Sequence, residues 1–246
     1  TRAQATDIAR RLAAVSAPKK IGLLWGKSDM SVDAGGCTII GNGVRLWPDT
    51  DGAIRVATKS KWLFSEPDRL RADVLVVDEA YQATFADVAA LGSMAEQIVC
   101  VGDPGQIDPV ITGDTSRWSE SATGPHVPAP FALQAAYPEI VNTVALKYTW
   151  RLGADTTALV QSRFYPDLPF TSRRPDEHLS KRGQVIPELT HRTVRVANGA
   201  TDAALIGAAV ERVHELIDDT DLTTDAGTRH LPEDDGAGVV PHVPQA

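Results

Sequence analysis

Apolar positions recur at helical spacing near the start of the chain. Ile8, Leu12 and Val15, with Ala9 and Ala13, predict a helix over 6–15, with Thr6 or Asp7 near its start and Pro18 closing it. A short strand is predicted over 20–25. Residues 31–51 are rich in Gly and turn formers, with short strands at 37–40 and 44–47, and a further strand is predicted at 54–58. Two β-branched runs, 74–77 and 98–101, are apolar throughout; they end in Asp78-Glu79 and Gly102-Asp103. Helical spacing over 85–94 separates them. Apolar strands alternating with helices predict a parallel sheet covered on both faces, joined by a right-handed crossover. Beyond it the pattern predicts a loop over 112–130, a helix over 131–137, a strand over 143–147 and a helix over 154–164, so that a second α/β unit begins near residue 143. The best helix of the chain is 202–217, with Leu205, Ala209, Val213 and Leu216 on one face. A loop over 218–235 and one more strand at 238–240 complete the reading.

Length and charge narrow this picture. A chain of 246 residues has room for one or two domains. Its 24 basic and 32 acidic residues give a net charge of −8, which is not the footprint of a protein that holds nucleic acid by overall charge. The balance is uneven, however. Residues 211–235 are acid-rich, whereas 173–195 carry Arg173, Arg174, Lys181, Arg182, Arg192 and Arg195, which leaves a local basic surface open. Two cysteines make no disulfide framework or metal-binding spacing. No apolar stretch approaches the ~20 residues of a membrane span and no signal peptide is visible, so a cytoplasmic protein with no membrane partner is expected.

The chemistry concentrates at two strand ends. In open parallel sheets, ligands bind beyond the carboxyl ends of the strands. Asp78 and Glu79 stand there, behind them an apolar strand. Such a pair suits a magnesium nucleotide: one carboxylate holds the metal through its water shell, the other orients and polarises the attacking water. The same residues also describe a strand that ends in a solvated acidic turn. Gly102-Asp103-Pro104-Gly105-Gln106 repeats the pattern 25 residues later. It reads alone as a common turn, yet two acid-bearing strand ends side by side form one pocket.

These two segments, VLVVDEAYQAT and IVCVGDPGQIDPV, resemble motifs II and III of superfamily 1 helicases, in the Up-frameshift-like branch marked by DEA-x-Q. LKYTWRLGADTTALVQSRFYPDLPF resembles that branch's motif IV, TRAQATDIARRL its motif Ia, RVATKSKW its motif Ic, and GVVPHVPQA a segment of its second motor domain. The resemblance implies an α/β fold of RecA-like parallel sheet domains with flanking helices, in the P-loop NTPase superfamily and truncated at both ends. Residues 1–142 would be a first RecA-like domain without its P-loop strand, and 143–246 the first part of a second. It also implies ATP and Mg²⁺ as cofactors and single-stranded DNA or RNA as partner. Asp78 would help hold Mg²⁺ and Glu79 would activate the water. Gln82 and Gln106 would couple the γ-phosphate to domain closure, Asp103 would support the metal-water network, and Gly102, also on the cofactor side, would let the backbone approach closely. Arg151 would serve as an arginine finger, although alone it reads as a surface salt bridge. Trp150 takes a position where the branch has Tyr, and core packing and base stacking both fit it. Thr1, Arg2, Thr58 and Lys59 match loops that grip the strand backbone.

One motif is missing. A phosphate-binding loop needs G-x-x-x-x-G-K-[ST]. The run from Gly22 to Ser28, ending Gly26-Lys27-Ser28, is one residue short and follows the wrong element. The loop is expected before Thr1, and the 246-residue chain alone is expected to lack ATPase activity. Two other readings remain: a degenerate module that binds nucleic acid or a partner without catalysis, and a nuclease subunit carrying this motor.

Overall fold

A computed structural model describes residues 1–17, 20–25, 32–41, 52–64, 71–197, 202–217 and 220–231. The expected strands at 44–47 and 238–240, Pro18 and the Gly26-Lys27-Ser28 run lie outside the described residues. The chain divides into two units, Thr1–Asn142 and Thr143–Ala246.

In the first unit, α1 (Arg2–Val15) begins earlier than the apolar spacing predicts. Its start is fixed by a capping box. Thr1 Oγ1 accepts from the Gln4 amide at 3.3 Å, and Gln4 Oε1 accepts from the Thr1 nitrogen at 2.6 Å. The helix lays Ala5 and Ala9 against β1 (Ile21–Leu24), a strand buried along its whole length. β1 lies between β2 (Thr38–Ile40) and β3 (Ile54–Val56) and is parallel to both. Ile21 and Leu23 are fully buried, each contributing roughly 1.5–3 kcal/mol of hydrophobic stabilisation. The expected strand at 54–58 stops at Val56 because Thr58 caps a helix that periodicity misses, α2 (Lys59–Leu63). Its Oγ1 accepts from the Lys61 amide at 3.3 Å.

A second parallel pair follows in the same unit. β4 (Ala72–Val77) and β5 (Ala95–Cys100) align Val77 with Cys100 and are joined through α3 (Phe85–Leu91). Thr84 and Asp87 form the capping box of α3. Val88 of α3 is buried with Ala83 and with Ala129 of α4 (Ala129–Ala136), against Val77, Ile98 and Leu133. Among the described residues only one face of this pair is covered. The pleat turns Val74, Val76 and Val99 to the other side, where Val76 is 61% exposed and Val101, just past the strand, is also exposed. The expectation of a sheet covered on both faces therefore does not hold here. Among the described residues, β4 and β5 pair with each other and not with the β2-β1-β3 sheet.

The second unit departs further. The predicted strand at 143–147 is absent: Val144 and Leu146 are exposed, and pairing begins with β6 (Tyr148–Thr149), parallel to β7 (Thr171–Ser172). Between them runs α5 (Ala154–Phe164). The larger sheet is antiparallel, ordered β11-β10-β8-β9, where the resemblance implied parallel strands. β8 (His178–Lys181) and β9 (Gln184–Ile186) are joined by Arg182 and Gly183, both at positive φ, as a tight hairpin of this hand requires. The loop expected over 218–235 contains a hairpin instead, β10 (Thr220–Thr224) and β11 (Gly227–Leu231). Acidic residues mask its Thr-rich, β-branched content, which suits a strand. α6 (Ala203–Ile217) starts at Asp202, whose carboxylate accepts from the Ala204 amide at 2.9 Å, and its apolar side chains stay partly exposed. No helix among the described residues is long and apolar enough to cross a membrane. The fold is thus mixed α/β with small parallel sheets and flanking helices.

Candidate functional site

The carboxyl ends of β4 and β5 lie side by side, and backbone bonds lace them together. Val101 N donates to Val77 O and Ala80 N donates to Val101 O, each at 2.9 Å. Asp78 is exposed and Glu79 half-buried in the turn that leaves β4. Glu79 holds a left-handed backbone (φ 53°, ψ 42°), unusual for a residue with a side chain, and leads into a single 3₁₀ turn, Ala80–Gln82. The turn after β5 presses against it. A Cβ on Gly102 would sit 3.0 Å from Ala80 N and 3.1 Å from Tyr81 Cδ2, so only glycine allows this approach without displacement.

Amides and one carboxylate then bridge the two turns. Gln82 Nε2 donates to Gln106 Oε1 at 3.2 Å, and Gln106 Nε2 donates to Asp103 Oδ2 at 3.4 Å. Asp103 Oδ1 accepts from the Gly105 amide at 2.9 Å, which fixes its own turn. Of the residues expected at a nucleotide site, Asp78, Glu79, Gln82, Gly102, Asp103 and Gln106 are brought to one sheet edge. Two neighbours were missed. Tyr81 packs edge-on against Phe131, with ring centroids 5.0 Å apart. Burial, then the nearby Cys100 and Asp103, push the Tyr81 hydroxyl above its ordinary pKa, and burial does the same to the Cys100 thiol. Both stay protonated at neutral pH and give the acids a neutral backing.

Among the described residues no cluster of three or more acidic, His or Cys side chains could hold a metal alone. Mg²⁺ characteristically takes one or two carboxylates and completes its shell with water and phosphate oxygens. The exposed Asp78 carboxylate fits that donor set. A phosphate cradle of the required spacing occurs nowhere in the 246 residues.

The residues expected to grip a strand form a second site in the same unit. Thr1 and Arg2 start α1, and Thr58 and Lys59 start α2. All four line one pocket of about 520 Å³, although 55 residues separate the two pairs. Trp25, Lys61 and Phe64 line it too and were not anticipated, because nothing in their spacing marks them. The Arg2 guanidinium lies 5.6 Å from the Trp25 ring centroid. The Lys59 ammonium is held by the Asp87 carboxylate. Burial works against the Asp87 charge, but hydrogen bonds from Lys59 and Thr84 outweigh it and hold the carboxyl below its usual pKa.

Trp150 and Arg151 belong to the second unit. Trp150 is 67% exposed, which removes core packing as its role. Arg151 is exposed and has no ion pair among the described residues. Its backbone N–H donates to Thr149 Oγ1 at 3.4 Å. Just beyond, Glu188 caps α5 from a distance, accepting from the Asp155 amide at 3.1 Å and from the Thr156 hydroxyl. The basic stretch is partly neutralised by Arg174–Glu177 and Arg192–Glu211 ion pairs. No protein-family model matches the chain, and no curated protein matches it.

Proposed function

We propose that this chain carries the nucleotide-sensing edge and part of the track-binding surface of an ATP-driven translocase on single-stranded DNA or RNA, of the superfamily 1 helicase kind. The observation that carries this reading is the bridge from Gln82 to Gln106 to Asp103, set beside Asp78 and Glu79 at adjacent parallel strand ends. A γ-phosphate or its attendant water arriving at such an edge exchanges hydrogen bonds with both turns at once. Asp78 would face the metal end of the nucleotide. Glu79 would take the proton of the attacking water, as the general base of the hydrolytic step. The pocket of Arg2, Thr58 and Lys61 would meet a sugar-phosphate backbone without reading sequence. Trp150 and Arg151 are exposed, Arg151 has no ion pair among the described residues, and the two would take a base and a phosphate.

The second reading is a module that binds without hydrolysing. Activity of the complete reading frame separates the two. With a Gly-Lys-Ser/Thr loop present, MgATP hydrolysis stimulated by single strands is expected. Glu79→Gln should abolish turnover while nucleotide binding persists. Normal turnover in that variant would remove Glu79 from the water-activating role.

A further inference from the structure

In the second unit, Trp150 and Arg151 ride on a short turn, Trp150 to Gly153, between the end of β6 and the start of α5. Exposed side chains on a turn keep one pose only where the backbone beneath them is fixed. Hydroxyls fix the first part of it. Thr149 Oγ1 accepts from the Arg151 and Leu152 amides at 3.4 and 3.5 Å. The hydroxyls of Ser172 and of the buried Thr157 donate to Leu152 O at 2.6 and 3.4 Å. The last residue, Gly153, is covered by the Glu188 carboxylate. Its φ of −69° is open to any residue, so glycine here answers a need for space: a Cβ would lie 2.3–2.4 Å from the carboxylate carbon and oxygens. Glu188 reaches this place from just beyond β9, an edge strand of the antiparallel sheet. One of its oxygens takes the Asp155 amide and the other the Thr156 hydroxyl, and the positive end of the helix dipole adds to the hold.

We infer that Glu188 is the positioning residue of the Trp150–Arg151 turn. Its carboxylate, seated on Gly153 and the start of α5, ties the turn to the four-stranded sheet and sets the pose in which the two side chains meet their ligands. The inference rests on the reading that they take a base and a phosphate, and it adds the group that holds them ready. Glu188 touches neither ligand. It acts through the backbone of 153–155, so its removal leaves both side chains in place on the chain but no longer held in one orientation, and orientation is what a bound ligand requires of them.

The test reads pose and affinity on the full chain. Among its five tryptophans, Trp150 is isolated by subtracting the emission of the matching Trp150→Phe protein. Glu188→Ala should change the Trp150 emission and its quenching by acrylamide, and should lower affinity for a fluorescent oligothymidylate about fivefold by anisotropy. Gly153→Ala displaces the carboxylate without removing it and should do the same, and the double variant should lose no more than either single one. Leu222→Ala weakens the antiparallel sheet at β10, where Leu222 pairs with Leu179, away from the turn. It should lower the urea midpoint yet leave Trp150 and affinity as in the parent. Where the parent binds the strand, parental affinity in Glu188→Ala overturns the positioning role, and so does an equal loss in Leu222→Ala. Where the parent binds none, the strand-tracking reading falls by itself. The Trp150 emission then decides the positioning role alone: a change in Glu188→Ala supports it and parental emission overturns it.

Discussion

The approach of Gly102 to the turn before Gln82 can be tested by adding one methyl group. Gly102→Ala puts a Cβ 3.0 Å from Ala80 N, 3.1 Å from Tyr81 Cδ2 and 3.3 Å from Tyr81 N, whereas ordinary contact begins near 3.4 Å. Two of these atoms are backbone, so the turn has to move by a few tenths of an ångström. Ala80 N is committed to Val101 O at 2.9 Å, and the displacement strains that bond first. Overpacking of this kind costs ~1–3 kcal/mol. The gain from a less flexible unfolded chain offsets ~0.4–1 kcal/mol. The net loss is therefore about 1–2 kcal/mol. With a urea slope of ~1–3 kcal/mol/M, the unfolding midpoint of the first unit should fall by roughly half to one molar. Gly113→Ala is the control, because no heavy atom lies within 4 Å of its Cβ position, and it should be neutral or slightly stabilising. A Gly102→Ala protein that unfolds at or above the parent's midpoint would refute the close approach.

Two further outcomes follow from the caps. Glu188→Ala should destabilise the second unit by about 1–2 kcal/mol, seen as a lower urea midpoint by circular dichroism, because α5 has no side-chain cap of its own at Gly153. Asp87 should make stability acid-sensitive. Its folded pKa lies below the unfolded value of about 4, so its contribution is complete above that value and fades as pH falls through the folded one. The midpoint difference between the parent and Asp87→Asn should accordingly shrink below pH ~4; a difference that stays constant to pH ~2 would contradict the ion pair with Lys59.

Pattern reading served best where one residue type carries one meaning. The buried run at β1, the acid-ended strands β4 and β5, and α5 from Ala154 to Phe164 were all visible in spacing. It served worst where side chains reach across the chain. Nothing near Gly153 announces that its helix is capped by a carboxylate 35 positions on, and nothing at Phe64 marks a pocket shared with Thr1. Helix starts were misjudged for a related reason. Thr1 and Thr58 act through single hydroxyls, which hydrophobic periodicity does not register. In the second unit, charge misled. The acid-rich stretch after α6 reads as solvated loop, yet Thr220 is fully buried in a four-stranded sheet. The bridge between Gln82 and Gln106 depends on strand register, which the sequence implies only once the two strands are known to be neighbours.

The left-handed backbone at Glu79 sets durability against chemistry at one position. Holding a side chain there costs ~1–2 kcal/mol, and glycine would return most of it, less ~0.4–1 kcal/mol for its looser unfolded state. Heat selection alone would therefore drift toward Glu79→Gly and discard the acid. On the proposed role of Glu79, a chain that keeps the carboxylate in that conformation gives up resilience for a reactive group, much as a spring is kept wound for the moment of release.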